Sequence, residues 1–125
     1  MKKILLIDDY QQIRNLYKEL LIKKGYTVDT ESDGEKGCAR AKQEAYDLIL
    51  IDLVMPKMSG IEVIDCIRNN PEKSRNAKLI TLSTIGENQL VNQAIERGAF
   101  DNIIKSTVNS DEIVANIETI FSKLP

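Results

Sequence analysis

Apolar residues fall along this chain in two alternating rhythms. Ile4-Leu5-Leu6-Ile7 is a short unbroken apolar run, the pattern of a strand buried on both faces of a parallel sheet. Ile13, Leu16, Tyr17, Leu20 and Leu21 then recur at helical spacing, and Gly25 supplies the expected C-terminal stop. A weaker strand is predicted around Thr27 to Thr30. Ser32 and Asp33 follow as N-cap residues for a helix from about Gly34 to Glu44. On its inner face lie Gly37, Cys38 and Ala41, small enough to let it pack closely on a sheet. Leu48-Ile49-Leu50-Ile51 is the second strong strand. Ser59 to Asn69 reads as a helix carrying Ile61, Ile64 and Ile67, closed by Pro71. Leu79-Ile80-Thr81-Leu82 is the next strand, and Glu87 to Arg97 the next helix, ended by Gly98. A short strand at about Asn102 to Ile104 precedes a last helix with Ile113, Val114, Ile117, Ile120 and Phe121 on one face.

The pattern is a strand followed by a helix, five times over, with no linker and no low-complexity segment. Such alternation with short connections predicts an α/β domain whose parallel sheet is covered on both faces. The expected architecture is a (βα)5, doubly wound, parallel five-stranded sheet in the order 2-1-3-4-5, the flavodoxin-like arrangement. At 125 residues the chain has the usual size of one domain, so residues 1–125 are read as a single unit.

Composition narrows the chemistry. The chain has no histidine, which removes Ser-His-Asp triads, Cys-His nucleophile pairs and histidine-ligated zinc. Carboxylates, hydroxyls and lysines must do whatever chemistry there is. A formal net charge of -2 argues against a dedicated nucleic-acid binder, which carries a basic field. Behind Lys2 and Lys3 the apolar run is too short for a signal peptide, and no stretch is long enough for a membrane helix. Ser122-Lys123-Leu124 spells a peroxisomal address but is followed by Pro125, so the match fails. A cytoplasmic protein is expected. Cys38 and Cys66 are too few for a disulfide framework, and both are expected to be reduced, partly buried thiols.

The chemistry gathers at strand ends. Asp8 and Asp9 follow the first strand, Asp52 the third, Ser83 the fourth and Lys105 the fifth. In a parallel sheet with right-handed crossovers all of these ends share one edge, where open α/β sheets bind ligands. Three carboxylates, a hydroxyl and an ammonium would converge there. Crowded carboxylates repel, so either one stays protonated or a hard cation neutralises them. An all-oxygen set suits magnesium, lysine and serine suit phosphoryl oxygens, and a carboxylate can itself be the nucleophile. Capping the first helix is the plainer reading of Asp8 and Asp9, but a cap needs only one acid.

With these residues in view the chain resembles a response-regulator receiver domain of two-component signalling, over essentially its whole length. The most specific match is Ile51-Asp52-Leu53-Val54-Met55-Pro56-Lys57-Met58-Ser59-Gly60, which follows the family's D-x-x-M-P-x-x-x-G loop. Asp8-Asp9 and Lys105 match as well. The resemblance implies that Asp52 is the phosphoacceptor. It implies that Asp9, Asp52 and the Val54 backbone carbonyl hold Mg2+, with Asp8 acting through a bound water. Lys105 would pair with the phosphoryl group and Ser83 would be the hydroxyl that moves toward it. The phosphoryl donor would be a histidine kinase or phosphotransfer protein. The domain would assist its own phosphorylation and dephosphorylation without being a turnover enzyme.

Three positions depart from the family pattern. Asn102 stands where a switching aromatic is usual, three residues before Lys105, and Phe100 is at the wrong register to replace it. Ser106 stands where a proline with a cis bond is usual. A cis bond before a non-proline residue costs about 3 kcal/mol, so a trans bond is expected. Thr84 replaces a smaller residue beside Ser83 and narrows access. Val54 and Ile85 flank the expected water path, which predicts a long-lived aspartyl-phosphate. A phosphorylation-independent scaffold is the main alternative, favoured by Asn102 and Ser106. A flavin carrier would need a glycine- and hydroxyl-rich first loop rather than Asp8-Asp9-Tyr10. An aspartate-nucleophile phosphatase would need a second acid where Val54 stands. No DNA-binding or catalytic domain lies within the 125 residues: if they are the whole product, output is expected by docking, and if they are one domain of a longer chain, the effector lies elsewhere in it. The expected contact with a downstream protein partner is the fourth-helix to fifth-helix face, around Glu87–Arg97, Glu118 and Lys123.

Overall fold

The computed structural model describes residues 2–69, 73–105 and 110–123. The expectations for Pro71, Ser106 and the Leu124-Pro125 end lie outside those residues. Ten elements alternate along the chain: β1 (Lys3–Ile7), α1 (Gln11–Lys23), β2 (Thr27–Glu31), α2 (Gly34–Gln43), β3 (Leu48–Asp52), α3 (Gly60–Asn69), β4 (Lys78–Ser83), α4 (Asn88–Glu96), β5 (Asp101–Ile104) and α5 (Asp111–Ser122). The strands form one sheet in the order β2-β1-β3-β4-β5, and every adjacent pair is parallel. The architecture is the doubly wound one that the alternation predicts.

Successive side chains of a strand point to opposite faces, and the sheet uses both. Leu5, Ile7, Ile49, Ile51 and Leu79 pack with α2, α3 and α4 residues such as Ala41, Ile64 and Ala94. Ile4, Leu6, Leu48, Leu50, Ile80 and Leu82 pack with Ile13, Tyr17 and Leu21 of α1 and with Ile113 and Ile117 of α5. Helix ends follow the local chemistry. Asp33 caps α2, its Oδ1 accepting the Lys36 N–H at 2.8 Å, and Gly25 and Gly98 take positive φ beyond α1 and α4, where L side chains are strained. At the open β2 edge, Arg40 bridges Glu31 at 3.0 Å and Glu44 at 2.9 Å, charges that blunt an exposed strand.

The cysteines correct the sequence reading. Cys38 of α2 and Cys66 of α3 are joined in a disulfide rather than left as reduced thiols. Gly37 lies so close to Ile7 that α2 is drawn onto the sheet. The two Cα atoms then stand 6.3 Å apart, within bridging range. That interhelical distance has no signature in the spacing of either helix.

Candidate functional site

Asp8 directly follows β1 and is fully buried. Its Oδ1 accepts the Tyr10 N–H at 2.9 Å, and its carbonyl accepts from Arg14 Nη1 at 2.8 Å, which pins the turn into α1. Asp9 beside it is exposed. Asp52 closes β3, 3% exposed, and its Oδ1 accepts the Val54 N–H at 3.3 Å. One ligand oxygen from each of Asp8, Asp9 and Asp52 lies within 4.8 Å of the other two. Lys105, just beyond β5, places Nζ 3.2 Å from Asp52 Oδ1 and 3.4 Å from Asp8 Oδ2. Its backbone N–H donates to the Ser83 carbonyl at 2.7 Å, which ties the end of β4 to the lysine.

The loop after Asp52 is tightly built. A Cβ on Gly60 would fall 2.5 Å from the Asp52 carbonyl oxygen and 2.7 Å from Leu53 Cα, so only glycine lets α3 start this close to the end of β3. Gly60 N–H donates to the Leu53 carbonyl at 3.0 Å. Lys57 adopts a φ of 67°, in the left-handed region that side chains other than glycine enter at a cost of about 1 kcal/mol.

Charge is unbalanced. Burial pushes the Asp52 carboxyl up to about 7, the Asp8 charge adds to that rise, and the Lys105 ammonium only partly offsets both. For Lys105 burial opposes the charge, but Asp8 and Asp52 outweigh it and the pKa rises. One ammonium against three carboxylates leaves negative charge uncompensated. All the donors are oxygens, the preference of a hard divalent cation, so the residues present fit magnesium.

Not every sequence-predicted residue takes part in the same way. Ser83 is fully buried at the end of β4, but its hydroxyl is engaged by Asn102 Nδ2, which donates to Oγ at 3.0 Å. Asn102 also accepts from Thr81 Oγ1 at 2.7 Å. Thr81 went unnoticed in the sequence, although it precedes Ser83 by two residues and so shares its sheet face. Phe100 is half exposed with the Lys78 ammonium 5.2 Å from its ring centroid. Thr84 is exposed, and its N–H donates to Glu87 Oε1 at 2.7 Å. Val54 is 53% and Ile85 91% exposed, so Ile85 shields nothing in this conformation.

With this geometry established, the comparison with known proteins is decisive: the family described as the response regulator receiver domain matches residues 4–118. The chain belongs to that family. The receiver domain is 34% identical over 105 residues to the chemotaxis protein CheY of Thermotoga maritima, covering 83% of this chain and 85% of the relative. It is 33% identical over 121 residues to the transcriptional regulatory protein ResD of Bacillus subtilis, covering 97% of this chain and 48% of ResD. Among solved structures, the response regulator TrrA of Thermotoga maritima in complex with Mg(2+)-BeF aligns with a TM-score of 0.81 and 34% identity, covering 96% of this chain and 99% of that one. Receiver domains of two-component systems are signalling modules that interact with histidine kinases and downstream effectors. Among the described residues no helix is long and apolar enough to cross a membrane.

Proposed function

We propose that this receiver domain, a single unit over 1–125, accepts a phosphoryl group on Asp52 and signals the change to a docking partner. The observation that carries the reading is the buried Asp52 carboxylate, 3.2 Å from Lys105 Nζ and clustered with Asp8 and Asp9. In the transfer an Asp52 oxygen attacks the phosphorus of a phosphohistidine on a histidine kinase or phosphotransfer protein. The new O–P bond forms as the P–N bond breaks, and the histidine nitrogen keeps the electron pair. Lys105 meets the charge that builds on the phosphoryl oxygens, and Ser83 donates a hydrogen bond to one of them. Asp9, Asp52 and the Val54 carbonyl, with Asp8 through a water, would hold magnesium, which supplies further neutralisation at those oxygens. The TrrA complex with Mg(2+)-BeF supports that choice of ion. Hydrolysis later returns the carboxylate when a water oxygen attacks phosphorus and the O–P bond breaks. The domain assists both steps on itself and turns over no separate substrate.

The output partner docks on the α4 to α5 side. Ile95, Phe100 and Ile104 are 45%, 41% and 49% exposed there, an apolar presence that supports a protein contact rather than nucleic acid or membrane. The Glu87–Arg97 helix, Glu118 and Lys123 complete the proposed face. We place the protein in the cytoplasm on the strength of its family.

Asn102 in place of an aromatic favours one other reading, a scaffold that binds partners without phosphorylation. Intact mass after incubation with acetyl phosphate and magnesium separates the two. A single phosphoryl adduct, absent in Asp52→Asn and absent without magnesium, is the expected result. No adduct on the wild-type protein, together with no magnesium binding by titration, would leave the scaffold reading standing.

A further inference from the structure

Three polar side chains interrupt the apolar pattern where β4 meets β5. Thr81 and Ser83 are completely buried, and Asn102 stands half-buried on the neighbouring strand, in register with Thr81. Buried polar groups are costly unless bonded, and these are bonded in a directed chain. Thr81 Oγ1 donates to Asn102 Oδ1 at 2.7 Å, and Asn102 Nδ2 donates to Ser83 Oγ at 3.0 Å. Asn102 turns Oδ1 to Thr81 and Nδ2 to Ser83, because an amide offers donors on one side and an acceptor on the other; the Asp101 carbonyl, 3.5 Å from Thr81 Oγ1, is the more distant acceptor.

A serine hydroxyl has one proton and two acceptor positions. With Asn102 filling an acceptor position, the Ser83 proton is left to point away from Asn102. The Ser83 carbonyl receives the Lys105 N–H at 2.7 Å, and the lysine ammonium lies 3.2 Å from Asp52. The serine backbone is thereby tied to the strand end that carries Lys105, while its hydroxyl oxygen accepts from Asn102. Each bond in such a series strengthens the next.

We propose that Asn102, fixed by Thr81, is a positioning residue that orients the Ser83 hydroxyl as donor to a phosphoryl oxygen on Asp52. The same bonds run in reverse. When Ser83 engages the phosphoryl group, its pull on the Asn102 amide carries occupancy of the site to β5, a polar coupling rather than an aromatic one. This rests on the phosphoacceptor reading.

The test uses the full chain, magnesium and acetyl phosphate, with adduct formation followed by intact mass. Asn102→Leu and Ser83→Ala should each slow formation about fivefold, the cost of one hydrogen bond in the transition state. The double variant should be no slower than either single one, and Thr81→Val should slow formation less. In wild-type protein without phosphodonor, the Asn102 side-chain amide signals in an ¹⁵N–¹H spectrum should differ from those of Ser83→Ala. They should shift again on phosphorylation. A purely structural role would multiply the two single effects and leave the amide signals in place on phosphorylation. That outcome, or wild-type rates in Asn102→Leu, overturns the relay while wild-type adduct formation keeps the phosphoacceptor reading intact. A wild-type protein that takes no phosphoryl group overturns both. The amide measurement keeps the proposal testable even if Asn102→Leu fails to fold.

Discussion

Asp52 works against the fold it sits in. Its carboxyl is pushed up to about 7, first by burial and then by the Asp8 charge, whereas an unfolded Asp titrates near 4 (about 3.9). Between those values the folded chain holds a proton that the unfolded chain releases, so stability falls as pH rises through that window. Above it the ionised acid keeps the full penalty. Asp52→Asn should flatten the slope. Without divalent cation at about pH 8 it should stabilise the protein by on the order of a few kcal/mol, the Lys105 attraction being already contained in the raised value. Urea melts across that pH range check this, and parallel curves for the two proteins would contradict it. The place of Asp52 at a strand end was legible in the sequence because it directly follows an aliphatic run, whereas its proposed acceptor role rests on the family resemblance. The Thr81–Asn102–Ser83 bonding was not, since it depends on which residues β4 and β5 bring into register.

Elements were read well where one face is strongly apolar. The stripe of α1 and the short aliphatic runs of β1, β3 and β4 set their burial directly, and observed boundaries move by only a residue or two. The disulfide is the exception. It closes a separation of 28 residues between α2 and α3, which on loop entropy is worth about 3–4 kcal/mol. Reduction should lower the urea midpoint accordingly without changing the circular dichroism of the fold. Cys38→Ser with Cys66→Ser should match the reduced protein. An unchanged midpoint under reductant would show that the bridge contributes nothing. Helix α4 differs from its neighbours in the opposite sense. Its one buried residue is Ala94, against five in α3, so little burial opposes its opening. Amide exchange should be faster in α4 than in α3 and should change in α4 on phosphorylation. Equal protection of the two helices would remove α4 as the responsive element.

Taken whole, the molecule sets unfavourable charge against a well-filled two-sided core. Magnesium should relieve that charge chiefly in the folded state, because Asp52 is far from the adjacent Asp8-Asp9 pair in the unfolded chain. Binding linked to folding in this way stabilises by about 2.7 kcal/mol at a hundredfold excess over Kd. The thermal midpoint should rise with magnesium in wild-type protein and rise less in Asp9→Asn; the same rise in both would exclude Asp9 from the site.

The chain's own pattern determined the class, because a five-fold exchange of strand and helix periods leaves few ways to bury both faces of a sheet. It also determined which residues end the strands, and hence that Asp8, Asp9, Asp52, Ser83 and Lys105 belong on one edge. Distance was decided only in three dimensions. The Lys105 contacts, the raised Asp52 pKa, the close approach at Gly60, the Cys38–Cys66 bridge and the amide behind Ser83 all depend on ångström-scale packing. Periodicity reports the face on which a residue lies. It carries no information about how near a residue on another element comes to it.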